Sequence, residues 1–241
     1  MASLNIFGGN ITFQSVTMAQ GGSSENLLIN PRGVINQADE PDGLLSAGQY
    51  FCDGWKAGAG GAEVYRDPDG FRLVSGSIVQ QVENTVPLGT VIRANIDVIS
   101  GAPAMTLGGD SGAHTTASAE HVPLEISGTN CKFTCAVVAV GAELPIYAER
   151  AYSDELLRCQ RFYYAESAAD SAISIVAVTQ NFGGAYYGAV EFPAEMASIP
   201  AIQVTASSNN AVTPYALRKR ILVRREGSAT SIQSFTADAR L

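Results

Sequence analysis

One segment of the chain combines aromatic rings, an amide and glycines in a pattern typical of a ligand-contacting loop. Residues 181–188 read Asn-Phe-Gly-Gly-Ala-Tyr-Tyr-Gly. Proteins hold sugars by packing aromatic rings against their C–H faces and by hydrogen-bonding their hydroxyls with amides. We therefore interpret Asn181, Phe182, Tyr186 and Tyr187 as a candidate glycan-binding set. An ordinary β-hairpin is the alternative interpretation of the same residues.

A second segment resembles a catalytic nucleophile. Residues 109–112, Gly-Asp-Ser-Gly, match the loop of chymotrypsin-like proteases in which backbone N–H groups around the serine form an oxyanion hole. Those enzymes need a general-base histidine upstream of the serine, but His114 and His121, the two histidines of this chain, both follow Ser111. We predict that the protein is not an enzyme and that residues 108–118 form a long surface loop.

Metal-ligating residue types are present at spacings that do not predict a metal site. Cys131 and Cys135 are four residues apart, without a CxxC pair or further ligands at suitable spacing, so we interpret the four cysteines as buried thiols. Residues 67–70, Asp-Pro-Asp-Gly, have the composition of a calcium loop and also of a hairpin turn between two alternating stretches. We favour the turn, and we expect no metal and no cofactor.

Basic residues are concentrated near the C-terminus. The run 218–225 holds five of the fifteen lysines and arginines, which raises the possibility of a nucleic-acid site. The net charge of −8 and the lack of interleaved aromatic residues for base stacking argue against one. Because residues 221–223 are strand-like, we expect a charged strand that resists edge-to-edge association or pairs with acidic residues of a neighbouring subunit.

The elements around these segments are predicted to be strands. Residues 91–98 alternate, with Ile92, Ala94, Ile96 and Val98 on one side, and residues 201–206 repeat the pattern with Ile202 and Val204 inward. Clusters of Gly, Pro, Asn and Asp separate such runs. Together with 24 glycines and only 16% charged residues, they predict an all-β protein, an antiparallel β-sandwich of jelly-roll type.

One short helix is expected over residues 153–160. Ser153 is a suitable N-cap, and Asp154 and Glu155 favour the positive end of the helix dipole. Trp55 is the only tryptophan, and we interpret it as a core anchor rather than as a platform for a sugar.

Five segments occur in the order typical of one family of bacteriophage proteins. They are 26–30 (NLLIN), 34–37 (VINQ), 49–55 (QYFCDGW), 157–164 (LRCQRFYY) and 192–201 (FPAEMASIPA). The set resembles the receptor-binding and fibre-tip modules of phage virions, which have a carbohydrate-binding-like jelly roll. The resemblance covers residues 26–206.

Two departures from that family pattern affect charged positions. Gly54 stands where the family has the Arg of an Asp-Arg-Trp element, and Ala38-Asp39 stands where it often has Arg-Gly. The charge network formed by those arginines is therefore not carried over to this chain.

The resemblance implies a virion structural protein, a tail fibre or head spike that binds host cell-surface polysaccharide for receptor binding and host attachment. A capsid decoration or cement protein without a glycan ligand is the alternative, and a polysaccharide-degrading enzyme is a further one. The resemblance also implies location in the virion. The N-terminus does not have the pattern of a secretory signal, so we expect synthesis in the host cytoplasm. No window of 18 uninterrupted apolar residues occurs, so we expect no membrane insertion.

The first 25 residues differ from the rest. Two short alternating stretches lead into a polar Gly-Ser linker, so we place a boundary between an N-terminal arm, 1–25, and a jelly-roll knob, 26–241. The arm is too short to bury a core, and its apolar residues need a partner surface. We expect it to attach the knob, as a homotrimer, to another virion protein, with Gly8-Gly9 and Gly21-Gly22 as hinges; the alternative is that it adds edge strands to its own sandwich. The attachment residues are Ile6, Phe7, Ile11 and Phe13.

Overall fold

The structure, a computed structural model, describes residues 3–6, 9–12, 25–118, 121–167, 176–178, 180–182, 185–206, 212–226 and 230–240. The described residues lie mostly in strands, with one short helix among them, and the sheets are antiparallel. The predicted class, an all-β antiparallel sandwich with one short helix, is confirmed. In the part of the chain described here, no helix is both long and apolar enough to cross a membrane.

The first eleven strands form a hairpin and a larger sheet. Strands β1 (Ser3–Ile6) and β2 (Gly9–Thr12) pair with each other. The nine-stranded sheet has the order β3-β5-β6-β11-β7-β9, with β4 on β5, and with β10 pairing both β6 and β8. Its strands are β3 (Gly43–Leu45), β4 (Tyr50–Cys52), β5 (Trp55–Asp67), β6 (Gly70–Val82), β7 (Val91–Ser100), β8 (Ala104–Leu107), β9 (Ala113–Thr115), β10 (Val122–Ser127) and β11 (Cys131–Val140).

Glycines allow the two longest strands to bend, so that the sheet folds over its own core. The first part of β6 pairs with β11 and the second part with β10, while its register with β5 shifts between Ala57 and Ala62. Gly61 and Gly76 have φ angles of +78° and +87°. A Cβ atom on Gly76 would lie 2.3 Å from the Gly61 carbonyl oxygen, so the close crossing requires glycine.

Aromatic residues fill the first core. The ring of Phe71 lies 5.9 Å from that of Phe51, 5.3 Å from Trp55 and 5.7 Å from Phe133. Trp55 has no exposed surface, and its Nε1 donates a hydrogen bond of 2.9 Å to the carbonyl oxygen of Asn30. The prediction of a core tryptophan is confirmed, since a buried ring cannot serve as a sugar platform.

The segment that precedes β3 is held by side-chain hydrogen bonds. Asn30 is fully buried; its Nδ2 donates to the carbonyl oxygens of Ile35 (2.7 Å) and Asp53 (3.0 Å), and its Oδ1 accepts from the Ile35 amide (3.0 Å). Its φ of +47° lies in the left-handed region that asparagine tolerates better than most residues. Leu28 in the same segment is fully buried.

The later strands form a second body with two four-stranded sheets. In one sheet β19 pairs with β12, β13 and β16, and the other has the order β14-β15-β18-β17. Phe192, Phe235 and Tyr164 pack in a second core with ring separations of 5.7 to 6.3 Å. The strands are β12 (Tyr163–Ser167), β13 (Val176–Val178), β14 (Gln180–Phe182), β15 (Ala185–Glu191), β16 (Ala201–Ala206), β17 (Thr213–Ala216), β18 (Arg220–Glu226) and β19 (Thr230–Asp238).

The predicted helix is present as α1, Tyr152–Cys159, but Ser153 is not its cap. Ala151 occupies the N-cap position, with no side-chain capping bond, because the helix begins one residue earlier than expected. Glu155 instead fixes the first turn: its carboxylate accepts from the Asn30 amide (2.7 Å) and from Arg150 Nη1 (2.9 Å). Tertiary contacts therefore hold the start of this helix.

Two expectations for β7 and the loop after it are corrected. Val98, expected inward, is 52% exposed, because β-bulges shift the register between β7 and β11 near this end of the strand. The loop expected over 108–118 contains β9, which pairs with β7. In contrast, Ile202 and Val204 of β16 pack against the second core as predicted.

A third, smaller cluster joins the two bodies. Ile29 and Ile35 from the N-terminal segment pack against Cys159 and Phe162 at the end of α1. Backbone bonds continue the junction, since the amide of Ala239 donates to the Phe162 carbonyl oxygen at 2.8 Å. The sequence did not indicate this division of the described residues into two cores.

Candidate binding surface

The residues proposed for glycan contact lie on one hairpin. Strands β14 and β15 pair with Asn181 opposite Tyr186 and Phe182 opposite Ala185. Successive positions of a strand alternate between the two faces of a sheet, so positions 186 and 187 belong to opposite faces. Glycan contact by Asn181, Phe182, Tyr186 and Tyr187 stays a prediction. The side chain of Tyr187 is 37% exposed.

Tyr187 belongs to a broader surface that the sequence did not indicate. Tyr187 of β15 lies opposite Arg224 of β18, which lies opposite Thr213 of β17, so the three residues form one row across the sheet. Two residues further along the strands, the next row on the same face consists of Ala189, Leu222 and Tyr215. We call these six residues the outer face. Its two aromatic rings and Leu222 remain accessible, with 48% of Tyr215 and 37% of Leu222 exposed.

The opposite side of the same strands is buried in the second core, so the side chains of the outer face lie on a rigid sheet. Ile221 and Val223 alternate with the outward residues of β18 and lie in the second core, and Val190 of β15 packs against it. Positions 221, 222 and 223 are all apolar, so the sequence alone does not show which of them face outward. Without the partners of β18, however, Leu222 and Tyr215 could not be assigned to one surface with Tyr187.

The spacing of the two rings suits an extended ligand. Tyr187 and Tyr215 are two strands and one row apart, a Cβ separation of roughly 12 Å for strands about 4.8 Å apart with a rise of about 3.4 Å per residue. Leu222 lies between them, opposite Tyr215 in the register. This strip is longer than one sugar ring, so it can contact separate units of an oligosaccharide.

The basic run forms an inner strand rather than an edge. β18 lies between β15 and β17, which corrects the expected role of a guarded edge. Arg218 and Lys219 lie 3.4 and 3.5 Å from Glu195, and Arg220 lies 3.3 Å from Glu191. These acids belong to the same chain, so the pairing does not need the neighbouring subunit that we considered.

The protease-like loop closes on itself. His114 Nδ1 lies 2.8 Å from Asp110 Oδ2, four residues earlier, and Ser111 is exposed. The amide of Leu107 donates to the Asp110 carbonyl oxygen at 2.8 Å, which forms the turn before β9. The absence of catalysis stays a prediction.

The aspartates of the Asp-Pro-Asp-Gly segment form a turn, as predicted, and neutralise a lysine. Lys132 Nζ lies 2.8 Å from Asp67 and 2.6 Å from Asp69, and the turn joins β5 to β6. The hydrogen bond from Lys132 lowers the pKa of both carboxyl groups. Among the described residues, no group of three or more His, Cys, Asp and Glu side chains is arranged to hold a metal ion.

The cysteines are free thiols. Cys52, Cys131 and Cys159 are buried, while Cys135 is half-buried in the bulge of β11 with a φ of +52°. Burial raises the pKa of all four thiols. The prediction of buried thiols is confirmed for three of them, and the bulge explains the exposure of Cys135.

A cavity of about 200 Å³ lies where the N-terminal segment, β6 and α1 meet. Arg158 and Arg161 line it, but each is paired with a carboxylate, Arg158 with Glu25 and Arg161 with Glu83 at 2.8 Å. Because both arginines are already paired with carboxylates, they do not give the cavity a net positive charge that would attract an anionic ligand. We therefore prefer the outer face as the candidate site.

Two of the four predicted attachment residues lie in the N-terminal hairpin. Ile6 pairs with Gly9 across the hairpin, and Ile11 lies in β2 opposite Leu4. Phe7 and Phe13 lie outside the described residues. Gly9, expected in a hinge, is part of a strand. Attachment through this arm stays a prediction.

Comparison with known proteins gave no relatives: no protein-family model, no curated protein and no solved structure matches this chain.

Proposed function

We propose that this protein is a structural protein of a bacteriophage or phage-like virion, and that its outer face binds polysaccharide on the host cell. The observation that carries the proposal is the strip of two exposed tyrosines with Leu222 between them on a sheet whose other side is buried. Aromatic rings on a rigid support bind sugars at little cost in conformational entropy. The order of the five phage-like segments supports the virion context.

Substitution of both rings tests the glycan-binding part. We expect Tyr187→Ala combined with Tyr215→Ala to abolish binding to host surface polysaccharide on a glycan array, since each lost ring contact weakens binding about tenfold. Tyr152→Ala on α1 is the matched control, because Tyr152 is 62% exposed and lies outside the outer face. Unchanged binding in the double variant would rule out this face as the site.

The proposed role in the virion includes an attachment arm at the N-terminus and assembly of the protein as a homotrimer. Strands β1 and β2 pair with each other as a two-stranded sheet, and such a hairpin is marginally stable by itself. A partner surface on another virion protein or on two further copies would stabilise it, and three glycan sites side by side would raise avidity.

Light scattering on the full chain and on a shortened chain that begins at Ser24 tests this arrangement. We expect a trimer in both cases and loss of particle binding for the shortened chain alone. Monomers in both cases would exclude the trimer. Tight binding to particles without any glycan signal would identify a cement protein instead.

A further inference from the structure

Residues 144–148, Leu-Pro-Ile-Tyr-Ala, present apolar side chains on one side of the segment that follows β11. Exposure alternates along this segment: Leu144 is 60% and Ile146 is 88% exposed, and Ala148 is exposed as well, whereas Pro145 and Tyr147 are half-buried. We call Leu144, Ile146 and Ala148 the apolar strip. Burial raises the pKa of Tyr147 to about 12, which agrees with its inward place.

The segment that carries the apolar strip is held against the first body. Arg93 of β7 donates a hydrogen bond to the carbonyl oxygen of Ala142, and Asn95 Nδ2 donates to that of Pro145 at 3.0 Å. These bonds fix the segment beside β7. Adjacent exposed apolar side chains on a fixed surface are typical of an interaction site.

The N-terminal arm joins the rest of the chain beside the apolar strip. Glu25 lines a cavity of about 250 Å³ together with Ile146. Residues 13–24, which lie outside the described part of the chain, connect Thr12 at the end of β2 to Glu25. Twelve residues can span up to about 40 Å, so the hairpin of β1 and β2 can reach the strip on its own body.

The hairpin has one apolar face that fits such a strip. Leu4 lies opposite Ile11, and Ile6 is two positions from Leu4, so positions 4, 6 and 11 belong to one face. Positions 3, 5, 10 and 12 are serine, asparagine or threonine and belong to the other face. Residues 1–24 contain no charged side chain, because all fifteen basic and twenty-three acidic residues of the protein follow them. Covering the apolar face of this uncharged hairpin is therefore favourable.

We infer that in the free protein the hairpin docks on the apolar strip of its own body, with its apolar face against Leu144 and Ile146. A strand of four residues and the strip are both roughly 14 Å long, so the two surfaces match in length. The linker favours the chain's own body over a second copy, because a short tether gives a local concentration in the millimolar range. The docking does not depend on the proposed role in the virion. Its consequence for that role is that a particle must displace the strip before it binds the arm.

Hydrogen–deuterium exchange on the full-length protein tests the docking. Leu144→Ser combined with Ile146→Ser should leave the unfolding midpoint unchanged, since both side chains are exposed. We expect the amide protection of the hairpin to fall about tenfold in this double variant. Leu44→Ser is the matched control, because Leu44 of β3 is 84% exposed and lies outside the strip. Equal protection in the double variant and the unmodified protein would overturn the inference, as would a hairpin that is unprotected in both.

Protein concentration and particle binding complete the test. Protection that rises with protein concentration would show that the arm docks on a second copy and would overturn docking on its own body. The double variant should bind phage particles about tenfold more tightly, because its arm is no longer held in the docked state. Equal affinity of the two proteins for particles would overturn this consequence. Absence of particle binding in every form would overturn the proposed attachment role, while the exchange result would still decide the docking.

Discussion

At the residue scale, single polar side chains decide where irregular segments lie. Asn30 shows this most clearly, because it satisfies three backbone groups and also adopts a positive φ. Asp53 lies next to it: burial raises the pKa of its carboxyl group, and Gln37 offsets this by donating to it from its amide at 2.8 Å and from Nε2 at 2.5 Å. Residues of this kind replace strand pairing in the segment before β3.

Asn30→Ala should destabilise the protein by about 3 kcal/mol, because it leaves buried backbone groups unpaired and places alanine at a positive φ. Asn36→Ala is the comparison, since Asn36 bonds the backbone of Glu40 at a partly buried site. We expect a loss of about 1 kcal/mol there. Urea denaturation measures both, and equal losses would contradict the importance of burial.

The Lys132 pair should make stability depend on acid pH. Because Lys132 lowers the pKa of Asp67 in the folded protein, the ion pair stabilises the fold above the ordinary aspartate pKa of about 3.9. That contribution is lost as the pH falls through the lowered folded pKa. The difference in urea midpoint between the protein and its Asp67→Asn variant should therefore be constant above about pH 5 and shrink below it.

Lys132→Gln provides the check on this assignment. Its difference in midpoint should shrink over the same acidic range, because Lys132 lowers the pKa of both Asp67 and Asp69. The double variant should lose less than the sum of the two single variants, since both changes remove the Lys132–Asp67 pair. A midpoint difference that stays constant down to acid pH would show that Asp67 acts through packing rather than charge.

At the scale of elements, two glycines with positive φ angles permit the bend in β5 and β6. Gly76 lies where the two strands cross, too close to the Gly61 carbonyl for any side chain. Gly76→Ala should cost about 3 kcal/mol through the clash and the positive φ. Gly60→Ala is a matched control in the same bend, because a Cβ there meets no atom within 4 Å. It should change the unfolding midpoint only slightly, and similar losses in both variants would contradict the close-crossing explanation.

At the scale of the whole molecule, Arg240 connects the two bodies. Its guanidinium lies 4.5 Å from the ring centres of both Tyr50 and Tyr163, and it pairs with Glu40 at 2.9 Å and Asp238 at 2.8 Å. Tyr50 belongs to the first body and Tyr163 begins the second, so one side chain couples them. It lines a small cavity together with Gly54.

Arg240→Gln should weaken this coupling by about 2 kcal/mol, the sum expected for partly buried stacking and ion pairing. Trp55 fluorescence reports on the first core, while far-UV circular dichroism reports on both bodies. We expect the two denaturation curves to coincide for the unmodified protein and to separate in the variant. Arg220→Gln, which removes an exposed pair with Glu191, should leave them coincident. Curves that remain coincident in Arg240→Gln would show that the junction cluster is sufficient.

Local features of this protein follow from its sequence. Alternation and turn residues predicted strands such as β16 and the turn at 67–70, and the helix was placed within one residue, because these depend on neighbours along the chain. It also identified Trp55 as a core residue. It misplaced Val98 and the helix cap, where a bulge and a buried glutamate override local preference.

The tertiary structure alone decided which distant residues share a surface. Tyr187 and Tyr215 lie 28 positions apart in the chain and share one face only because β18 pairs with both β15 and β17. The division into two cores and the Arg240 contact likewise depend on which strands pair. Strand pairing is a long-range choice among many strands of similar pattern, so neither the outer face nor the junction follows from local sequence.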